Sequence, residues 1–331
     1  MGFLGTGWIG RHRMEAMLAT GAVTAAAVCE PGEAALADAR TLAPQAAVAP
    51  SLEAMLEMGL DGVVIATPSA LHADQSIAAL EAGCAVFCQK PLGRDAGEVA
   101  RVVEAARAAD RLLGVDLSYR YTAATRAVRD LLAEGALGRV FAADLVFHNA
   151  YGPDKPWFYD RAQSGGGCLI DLGVHLVDQV LWLLGFPEVT GLTASLRTGG
   201  EPLLAGQVED YATVAFRAGD VDVRLACSWR LHAGQEAEIG LRLYGTGGGA
   251  LLRNVGGSFY DFAADHATGT AHRTLVSPPD DWGGRAAADW ARRLAAGARF
   301  DAAAADFLRS AEVLDRAYSV IADASTSVRL E

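Results

Sequence analysis

The sequence predicts an α/β protein in which a doubly wound parallel sheet is followed by a second α/β domain with a large, mostly antiparallel sheet. Up to residue 117, short apolar runs alternate with amphipathic ones, as in strands and helices that build a parallel sheet. After Tyr119, longer strand-like segments separated by turn residues dominate, which is typical of antiparallel sheets. A chain of 331 residues also exceeds one compact core. We therefore expect domains over residues 1–118 and 119–331.

The first predicted domain alternates strands and helices. Its predicted strands are Gly2–Gly5, Val23–Cys29, Ala46–Ala49, Gly62–Thr67, Ala85–Cys88 and Leu112–Leu117. Its predicted helices are Trp8–Thr20, Glu33–Leu42, Leu52–Met58, Leu71–Ala82 and Ala96–Ala109. The strands are continuous apolar runs, as expected where helices cover both faces of a sheet.

The second predicted domain is richer in long strands. The predicted strands are Arg139–Asn149, Thr190–Arg197, Tyr211–Arg217, Val221–Leu231 and Glu238–Tyr244. The predicted helices are Ala123–Glu134, Cys168–Leu184, Arg285–Ala296 and Ala302–Ser325. Gly185 and Pro187 supply the stop signal for the helix that begins at Cys168.

Charge and composition narrow the range of partners. The formal net charge of −12 argues against nucleic acid, because phosphate binding needs a basic face. Charges or glycines interrupt every apolar run before the ~20 residues that a membrane span needs. Residues 11–15 carry charges where a signal peptide would be apolar, and the five cysteines form no Cys-x-x-Cys pair. We expect a cytoplasmic chain with small-molecule partners, no membrane association and no metal site.

A glycine-rich turn predicts dinucleotide binding. Gly5-Thr6-Gly7-Trp8-Ile9-Gly10 is a G-x-G-x-x-G run that leaves a predicted strand and opens a predicted helix. In this setting Gly5 permits the tight turn, Gly7 lets a pyrophosphate approach the backbone, and Gly10 lets helix and strand pack closely. The helix N-terminus adds free N–H groups for phosphates. Trp8 and Ile9 lie inside this predicted cofactor contact.

An acid at the end of the second strand indicates which dinucleotide is bound. Glu30 lies 20 residues after Gly10, where a carboxylate can bind the ribose hydroxyls. The same carboxylate would repel a 2′-phosphate, so NAD is favoured over NADP. Arg11 and Arg13 are the nearby side chains that could instead receive such a phosphate.

Residues at the ends of the later strands are expected to face the same ligand crevice. They are Thr67, Pro68 and His72 after the fourth strand, and Gln89 and Lys90 after the fifth. Of the 28 lysine and arginine residues, only Lys90 and Lys155 are lysines. Unlike arginine, lysine can lose its proton, so Lys90 is a candidate for binding a substrate oxygen and sharing in proton transfer. The alternative is a surface lysine at a strand end.

A second set of candidates lies on the helix after three glycines, residues 165–167. Asp171 and His175 are four residues apart and share one helix face, with Asp178 on the same flank. A carboxylate beside an imidazole suits a general acid and base near neutral pH. The glycines would let a flat ligand approach the backbone. The alternative is a structural histidine.

Tyr119, Lys155 and Trp157 are further candidates for substrate binding. Trp157 belongs to an aromatic run just before the three glycines, and flat apolar faces suit sugar rings. A loop anchored by buried aromatics is the alternative. The remaining histidines are expected to be structural or exposed: His12, His148, His232, His266 and His272.

These motifs resemble the Gfo/Idh/MocA family, which includes glucose–fructose oxidoreductase and inositol dehydrogenases. The resemblance rests on the glycine turn, on Thr67-Pro68, on Lys90-Pro91 and on the Asp171…His175 helix. Gln89 departs from the family's usual Glu-Lys-Pro. The resemblance implies a Rossmann domain, and an α/β domain whose open sheet joins subunits into homodimers or homotetramers. It also implies that Lys90, Asp171 and His175 are catalytic.

The function that the resemblance implies is NAD-dependent hydride transfer on a sugar, sugar derivative or cyclitol. We expect His175 to exchange the hydroxyl proton while Lys90 stabilises the oxyanion, the two converging on one nicotinamide ring. Two alternatives remain open: a glycosidase that oxidises its substrate transiently with NAD, and a non-catalytic dinucleotide sensor. The sequence leaves the particular substrate and the direction of the reaction open.

Overall fold

The structure is a computed structural model that describes residues 1–327, with side chains up to Ile321. The chain divides into two compact units. The first consists of residues 1–118 and 283–308, and the second of residues 119–282 and the part that follows from Arg309. The predicted second domain was continuous from 119 to 331. Residues 283–308 cluster with the first unit because Trp290, which is 3% exposed, packs its ring 5.7 Å from Phe87.

Both units contain helices and strands. In chain order the helices are α1 Trp8–Leu18, α2 Glu33–Leu42, α3 Leu52–Leu56, α4 Ser69–Glu81, α5 Ala96–Ala109, α6 Ala123–Ala133, α7 Arg161–Ser164, α8 Val174–Leu184, α9 Arg285–Ala295 and α10 Ala305–Ser327. The strands of the first unit are β1 Gly2–Leu4, β2 Ala27–Cys29, β3 Ala47–Val48, β4 Gly62–Ile65, β5 Ala85–Cys88 and β6 Leu113–Val115. Those of the second are β7 Val140–Asn149, β8 Val189–Thr198, β9 Glu201–Pro202, β10 Tyr211–Ala218, β11 Val221–Ser228, β12 Ala237–Gly245, β13 Gly249–Asn254, β14 Phe262–Thr268 and β15 Ala271–Val276.

The six strands of the first unit form a parallel sheet in the order β3-β2-β1-β4-β5-β6. This is the doubly wound order, and the prediction of a Rossmann sheet is confirmed. All four residues of β4 and of β5 are buried, as expected for strands covered on both faces. Strand order reverses between β1 and β4, whose carboxyl ends therefore flank the crevice where such sheets bind ligands.

The second unit contains a nine-stranded sheet in the order β15-β14-β13-β12-β7-β11-β10-β8-β9. Among the described strands of this sheet, only β7 and β11 pair in parallel, so the predicted, mostly antiparallel sheet is confirmed. Burial alternates along β11: Val223 and Leu225 lie in the core, whereas Arg224 points outward and pairs with Asp144 at 2.8 Å. One face thus belongs to the core and the other carries charge.

Four strands, β9 and β13 to β15, were not predicted. β9 has only two residues, and glycine or charged residues interrupt the apolar pattern of the other three. A second difference concerns the predicted helix Cys168–Leu184, which begins with a π-helical turn at Leu169–Gly173 before α8. Within the described chain, Arg161–Leu184 is the stretch long and apolar enough to cross a membrane by length and composition, and 83% of its apolar window is buried. Such burial is usual for a core helix.

Candidate functional site

The glycine turn has the geometry that the sequence predicted for a dinucleotide. Gly5 has φ +80°, and a Cβ there would lie 2.7 Å from the carbonyl oxygen of Ala66. A Cβ on Gly10 would collide with the Gly5 carbonyl, so both positions require glycine for close packing. A Cβ on Gly7 would meet open space, and α1 begins after Gly7 without a side-chain cap. The first N–H groups of α1 are therefore available to an anion.

Glu30 is fixed beside this turn. Its Oε2 accepts a hydrogen bond from the Thr6 N–H at 2.6 Å, and its Oε1 accepts one from the Gly32 N–H at 2.9 Å. Carboxylate oxygens have further lone pairs, so Glu30 can still accept ribose hydroxyls. Trp8, inside the turn, is 59% exposed.

Arg11 and Arg13, the two candidates for binding a 2′-phosphate, differ in the exposure of their side chains and in their ion pairs. The Arg13 side chain is only 10% exposed, and its Nε donates to Asp116 Oδ2 at 2.5 Å. Arg13 is therefore committed to a buried ion pair and is not a phosphate ligand. Arg11 is 35% exposed and lies 3.8 Å from Asp38. The structure thus leaves one of the two arginines able to face a phosphate.

His72 lies behind the predicted cofactor site. It is 1% exposed, and its ring nitrogens face two backbone carbonyls, Pro91 O at 2.6 Å from Nδ1 and Thr67 O at 2.7 Å from Nε2. Burial lowers the pKa of His72, against the opposing effect of these carbonyls. His72 therefore connects the segments after β4 and β5 rather than touching a ligand, which revises its predicted role. Thr67 Oγ1 itself donates to Gln75 Oε1 at 2.6 Å, and the predicted contact Pro68 is the N-cap of α4.

Lys90 follows β5 at its carboxyl end and is half-buried. Its backbone N–H donates to Gln89 Oε1 at 2.8 Å, and Gln89 Nε2 donates to Asp116 Oδ2 at 2.9 Å. The Lys90–Pro91 peptide bond is cis. The lysine predicted to be catalytic thus stands on backbone that neighbouring side chains hold in place.

The other predicted catalytic residues belong to the second unit. Asp171 lies in the π-helical turn, which places it at a different angle from the single α-helix that the sequence predicted. Trp229 Nε1 donates to Asp171 Oδ2 at 3.1 Å. Nothing in the sequence around Trp229 singled it out, because it follows β11 and reaches Asp171 only through the tertiary fold.

His175 stands in an aromatic wall at the start of α8. It is 8% exposed, with its ring centroid 4.7 Å from that of Tyr119 and 6.2 Å from that of Phe147. Burial raises the pKa of the Tyr119 hydroxyl, and the charge of Asp171 raises it further, so this hydroxyl keeps its proton. The structure therefore brings together His175 and the predicted substrate residue Tyr119.

Asp178 has a different role from the one its spacing suggested. It is 2% exposed and accepts from Arg120 Nε at 2.7 Å, with a second contact from Arg120 Nη2. This paired geometry fits a buried structural ion pair. Asp178 thus holds Arg120 and is not the carboxylate partner of His175.

The aromatic loop before the glycines is partly anchored. Trp157 stacks on Phe158 at 3.8 Å between ring centroids, and Phe158 and Tyr159 lie edge-on to Trp229 at 6.3 and 5.6 Å. The loop thus packs on the tryptophan that binds Asp171. Lys155, by contrast, is 63% exposed and lies 3.2 Å from Asp154.

Two of the three glycines, Gly166 and Gly167, serve packing rather than ligand approach. A Cβ on Gly167 would collide with the carbonyl oxygen of Glu209, and one on Gly166 with the hydroxyl of Tyr318. Glu209, which is fully buried, accepts at Oε1 from Gly167 N at 2.9 Å, Leu169 N at 3.0 Å and Tyr318 Oη at 2.7 Å. Burial raises the pKa of Glu209, against these hydrogen bonds. At these two glycines the predicted close approach of a ligand is replaced by close approach of the protein's own Glu209, just before β10, and Tyr318, on α10.

Other chemistry-bearing residues lie apart from these features. His148, predicted to be structural, is buried with Nδ1 2.8 Å from Ser228 Oγ. Across residues 1–327, no cluster of three histidine, cysteine or acidic side chains could hold a metal ion.

Comparison with known proteins agrees with this geometry. The sequence model of an oxidoreductase family with an NAD-binding Rossmann fold, GFO/IDH/MocA, matches residues 1–117, and the model of the GFO/IDH/MocA C-terminal domain matches residues 125–251. The chain belongs to the GFO/IDH/MocA family. It is 34% identical to 1,5-anhydro-D-fructose reductase of Ensifer adhaerens over 59% of this chain and 58% of the relative. It is 30% identical to inositol 2-dehydrogenase 3 of Saccharopolyspora erythraea over 69% of this chain and 67% of the relative.

Solved structures share the fold. GenD2 from gentamicin A biosynthesis, solved with NAD, superposes with a TM-score of 0.80 at 26% identity, covering 98% of this chain and 94% of GenD2. KijD10, a 3-ketoreductase from Actinomadura kijaniata solved with NADP, superposes with a TM-score of 0.82 at 21% identity over 96% of both chains. The matched segments span 58% of the length of the Ensifer adhaerens reductase and 60% of that of D-glucoside 3-dehydrogenase of Escherichia coli. The activities in these names are therefore those of the relatives.

Proposed function

We propose that this protein is an NAD-dependent oxidoreductase that interconverts a hydroxyl and a carbonyl group on a sugar, sugar derivative or cyclitol. The observation that carries the proposal is the dinucleotide turn at Gly5–Gly10, which follows β1, with Lys90 at the carboxyl end of β5 in the same parallel sheet. Relatives named as a sugar reductase and an inositol dehydrogenase support the substrate class.

The first unit fits a bound dinucleotide. The space at Gly7 and the uncapped start of α1 suit a pyrophosphate, and Glu30 stands where it can accept the hydroxyls of a ribose. When bound, the nicotinamide supplies the hydride chemistry. The Glu30 carboxylate would repel a 2′-phosphate, and Arg13 is committed to Asp116, so we favour NAD over NADP.

In the proposed mechanism the chain's own residues handle protons and charge. His175 removes the proton of the substrate hydroxyl as hydride leaves the same carbon, and returns it in the reverse direction. The Lys90 ammonium stabilises the oxyanion that develops. Asp171, held by Trp229 Nε1 at 3.1 Å, supports the charge of the imidazolium. Tyr119, against the His175 ring, is proposed to contact the substrate, as are the exposed Lys155 and the half-buried Trp157.

We also propose a cytoplasmic homodimer or homotetramer that joins through the charged outer face of the nine-stranded sheet. Arg224 and Tyr244 both bond Asp144 on that face, which gives it an ordered polar surface. Size-exclusion chromatography with light scattering of an Arg224→Glu variant tests this arrangement. If the face joins copies of the chain, the reversed charge should place like charges together, weaken association and lower the measured mass.

A substrate panel tests the activity. Cyclitols, aldoses and keto sugars are incubated with NAD or NADH, with NADP run alongside, while NADH absorbance is followed. Net NADH formation with a polyol, or consumption with a keto sugar, supports the dehydrogenase. Bond cleavage with NAD needed only catalytically would indicate the glycosidase reaction instead. Tight NADH binding without turnover of any compound would indicate a dinucleotide sensor.

A further inference from the structure

A buried polar network lies behind Lys90 in the first unit. Asp116, 1% exposed, follows β6, and its Oδ2 accepts from Arg13 Nε at 2.5 Å and from Gln89 Nε2 at 2.9 Å. The backbone joins the same place, because Asp116 N donates to Cys88 O at 2.9 Å. Three elements, α1 and the ends of β5 and β6, thus meet at one carboxylate.

Gln89 is the member that reaches Lys90. Its Oε1 accepts the Lys90 N–H at 2.8 Å while its Nε2 donates to Asp116. A backbone N–H can only donate and an ionised carboxylate can only accept. The side chain at 89 must therefore accept on one side and donate on the other, and an amide does both. A glutamate there would set two carboxylates against each other.

We propose that Arg13, Asp116 and Gln89 form a positioning relay that fixes the backbone of Lys90 and thereby aims its amine. The relay explains why this chain has Gln89 where the Glu-Lys-Pro pattern has an acid: the negative charge is supplied by Asp116 and neutralised by Arg13. None of the three is a catalytic residue. The expected effect of the relay on turnover rests on the proposed function of Lys90. Its expected effect on the chemical reactivity of the Lys90 amine does not.

Exchanging the amide of Gln89 and the carboxylate of Asp116 tests the relay. The variants are Gln89→Glu, Asp116→Asn and the double variant, in which carboxylate and amide trade places. The control is Gln45→Glu, the same change at an exposed position of the first unit. Gln89→Glu is expected to lower kcat about tenfold, with KM changed less than about threefold, because it sets two carboxylates against each other. The double variant should recover most of that loss.

A second readout needs no substrate. The chain has only two lysines, so the pH dependence of acylation of Lys90 can be followed by mass spectrometry with Lys155 as the internal reference. The relay predicts that the Lys90 profile moves to higher pH in Gln89→Glu and returns toward the wild-type profile in the double variant. The Lys155 profile should be the same in every protein. If Gln89→Glu does not fold, Gln89→Met removes both hydrogen bonds without adding charge and should also lower kcat and alter Lys90 labelling.

Either of two results would overturn the relay: a wild-type Lys90 labelling profile in Gln89→Glu, or a double variant that recovers no more of the wild-type behaviour than Gln89→Glu alone. The experiments distinguish a failure of the proposed function from a failure of the relay. If the wild-type protein turns over no compound of the panel, the proposed function fails while the labelling profile still decides the relay. If turnover is found but the Lys90 profile is the same in every variant, the relay fails alone.

Discussion

The two units hold their candidate catalytic side chains by different physical means. Lys90 stands at a strand end whose backbone is bonded to a charged network centred on Asp116. Asp171 and His175 stand at a helix start that is packed through glycine backbone against Glu209. A charged network is sensitive to changes of charge at constant shape, whereas packed backbone is sensitive to added volume. The comparison therefore predicts which substitutions harm each unit.

Lys90→Met is expected to have the largest effect, because it removes the amine while keeping the bulk of the side chain. Turnover should fall about a hundred- to a thousandfold, since loss of a stabiliser of the developing oxyanion costs that order of rate. NAD affinity, measured by fluorescence titration, should stay within several-fold, because the dinucleotide turn is untouched. Near-normal turnover would remove Lys90 from the mechanism.

Adding one methyl group at a glycine should affect the stability of the protein differently in the two units. Gly167→Ala places a Cβ against the Glu209 carbonyl and should destabilise the protein by about 3 kcal/mol in chemical unfolding. Gly7→Ala is the matched change, since its Cβ would meet open space. It should leave the unfolding free energy nearly unchanged and weaken NAD binding. Equal stability losses in the two variants would contradict the assignment of these glycines.

Glu209 should tolerate an amide but not truncation. Glu209→Ala leaves the N–H groups of Gly167 and Leu169 and the Tyr318 hydroxyl without their acceptor, a loss on the order of 3 kcal/mol. Glu209→Gln keeps an acceptor and should cost less than about 1 kcal/mol. Because the folded pKa of Glu209 is raised, the wild-type protein loses stability as pH rises above the usual 4.5, and the glutamine variant should lose less. Identical pH dependence in both proteins would refute this.

His72 should give the smallest effect, visible only in acid. Its folded pKa lies below the ordinary 6.5, so the unfolded chain binds the proton more readily and stability falls as pH drops below that value. His72→Gln should reduce this acid dependence by about 1 kcal/mol between pH 7.5 and 5.5. The exposed His272 provides the control, since His272→Gln should leave the profile unchanged. Thermal unfolding at the two pH values measures both.

Local sequence patterns were sufficient to predict many of the helices and strands of the first unit. The helices at Glu33–Leu42 and Ala96–Ala109 and the strand at Ala85–Cys88 lie where the sequence predicted them. Their signals, apolar runs bounded by glycine and a cap at Asp95, act within a few residues. The glycine turn and Glu30 were equally readable, because their spacing is set by one strand–helix–strand unit.

Residues whose roles depend on distant partners were less predictable. Asp178 was placed with His175 by helical spacing, but Arg120, 58 residues away in sequence, pairs with it. The three glycines at 165–167 predict a surface for a ligand, but Tyr318 and Glu209 fill the space at Gly166 and Gly167. No local pattern contains such partners, since side-chain pairing between remote segments is a property of packing.

The sequence by itself determined the doubly wound sheet, the dinucleotide turn and the identity of the candidate acid–base residues, because each depends on short-range periodicity or on the chemistry of one side chain. Only the tertiary structure decided that Trp229 binds Asp171, that Glu209 supports the glycine segment, and that Asp116 connects Arg13 to Gln89 beside Lys90. These contacts join residues 27 to 103 positions apart in the sequence. Burial makes them necessary, because a polar group removed from water must find a partner wherever the fold brings one.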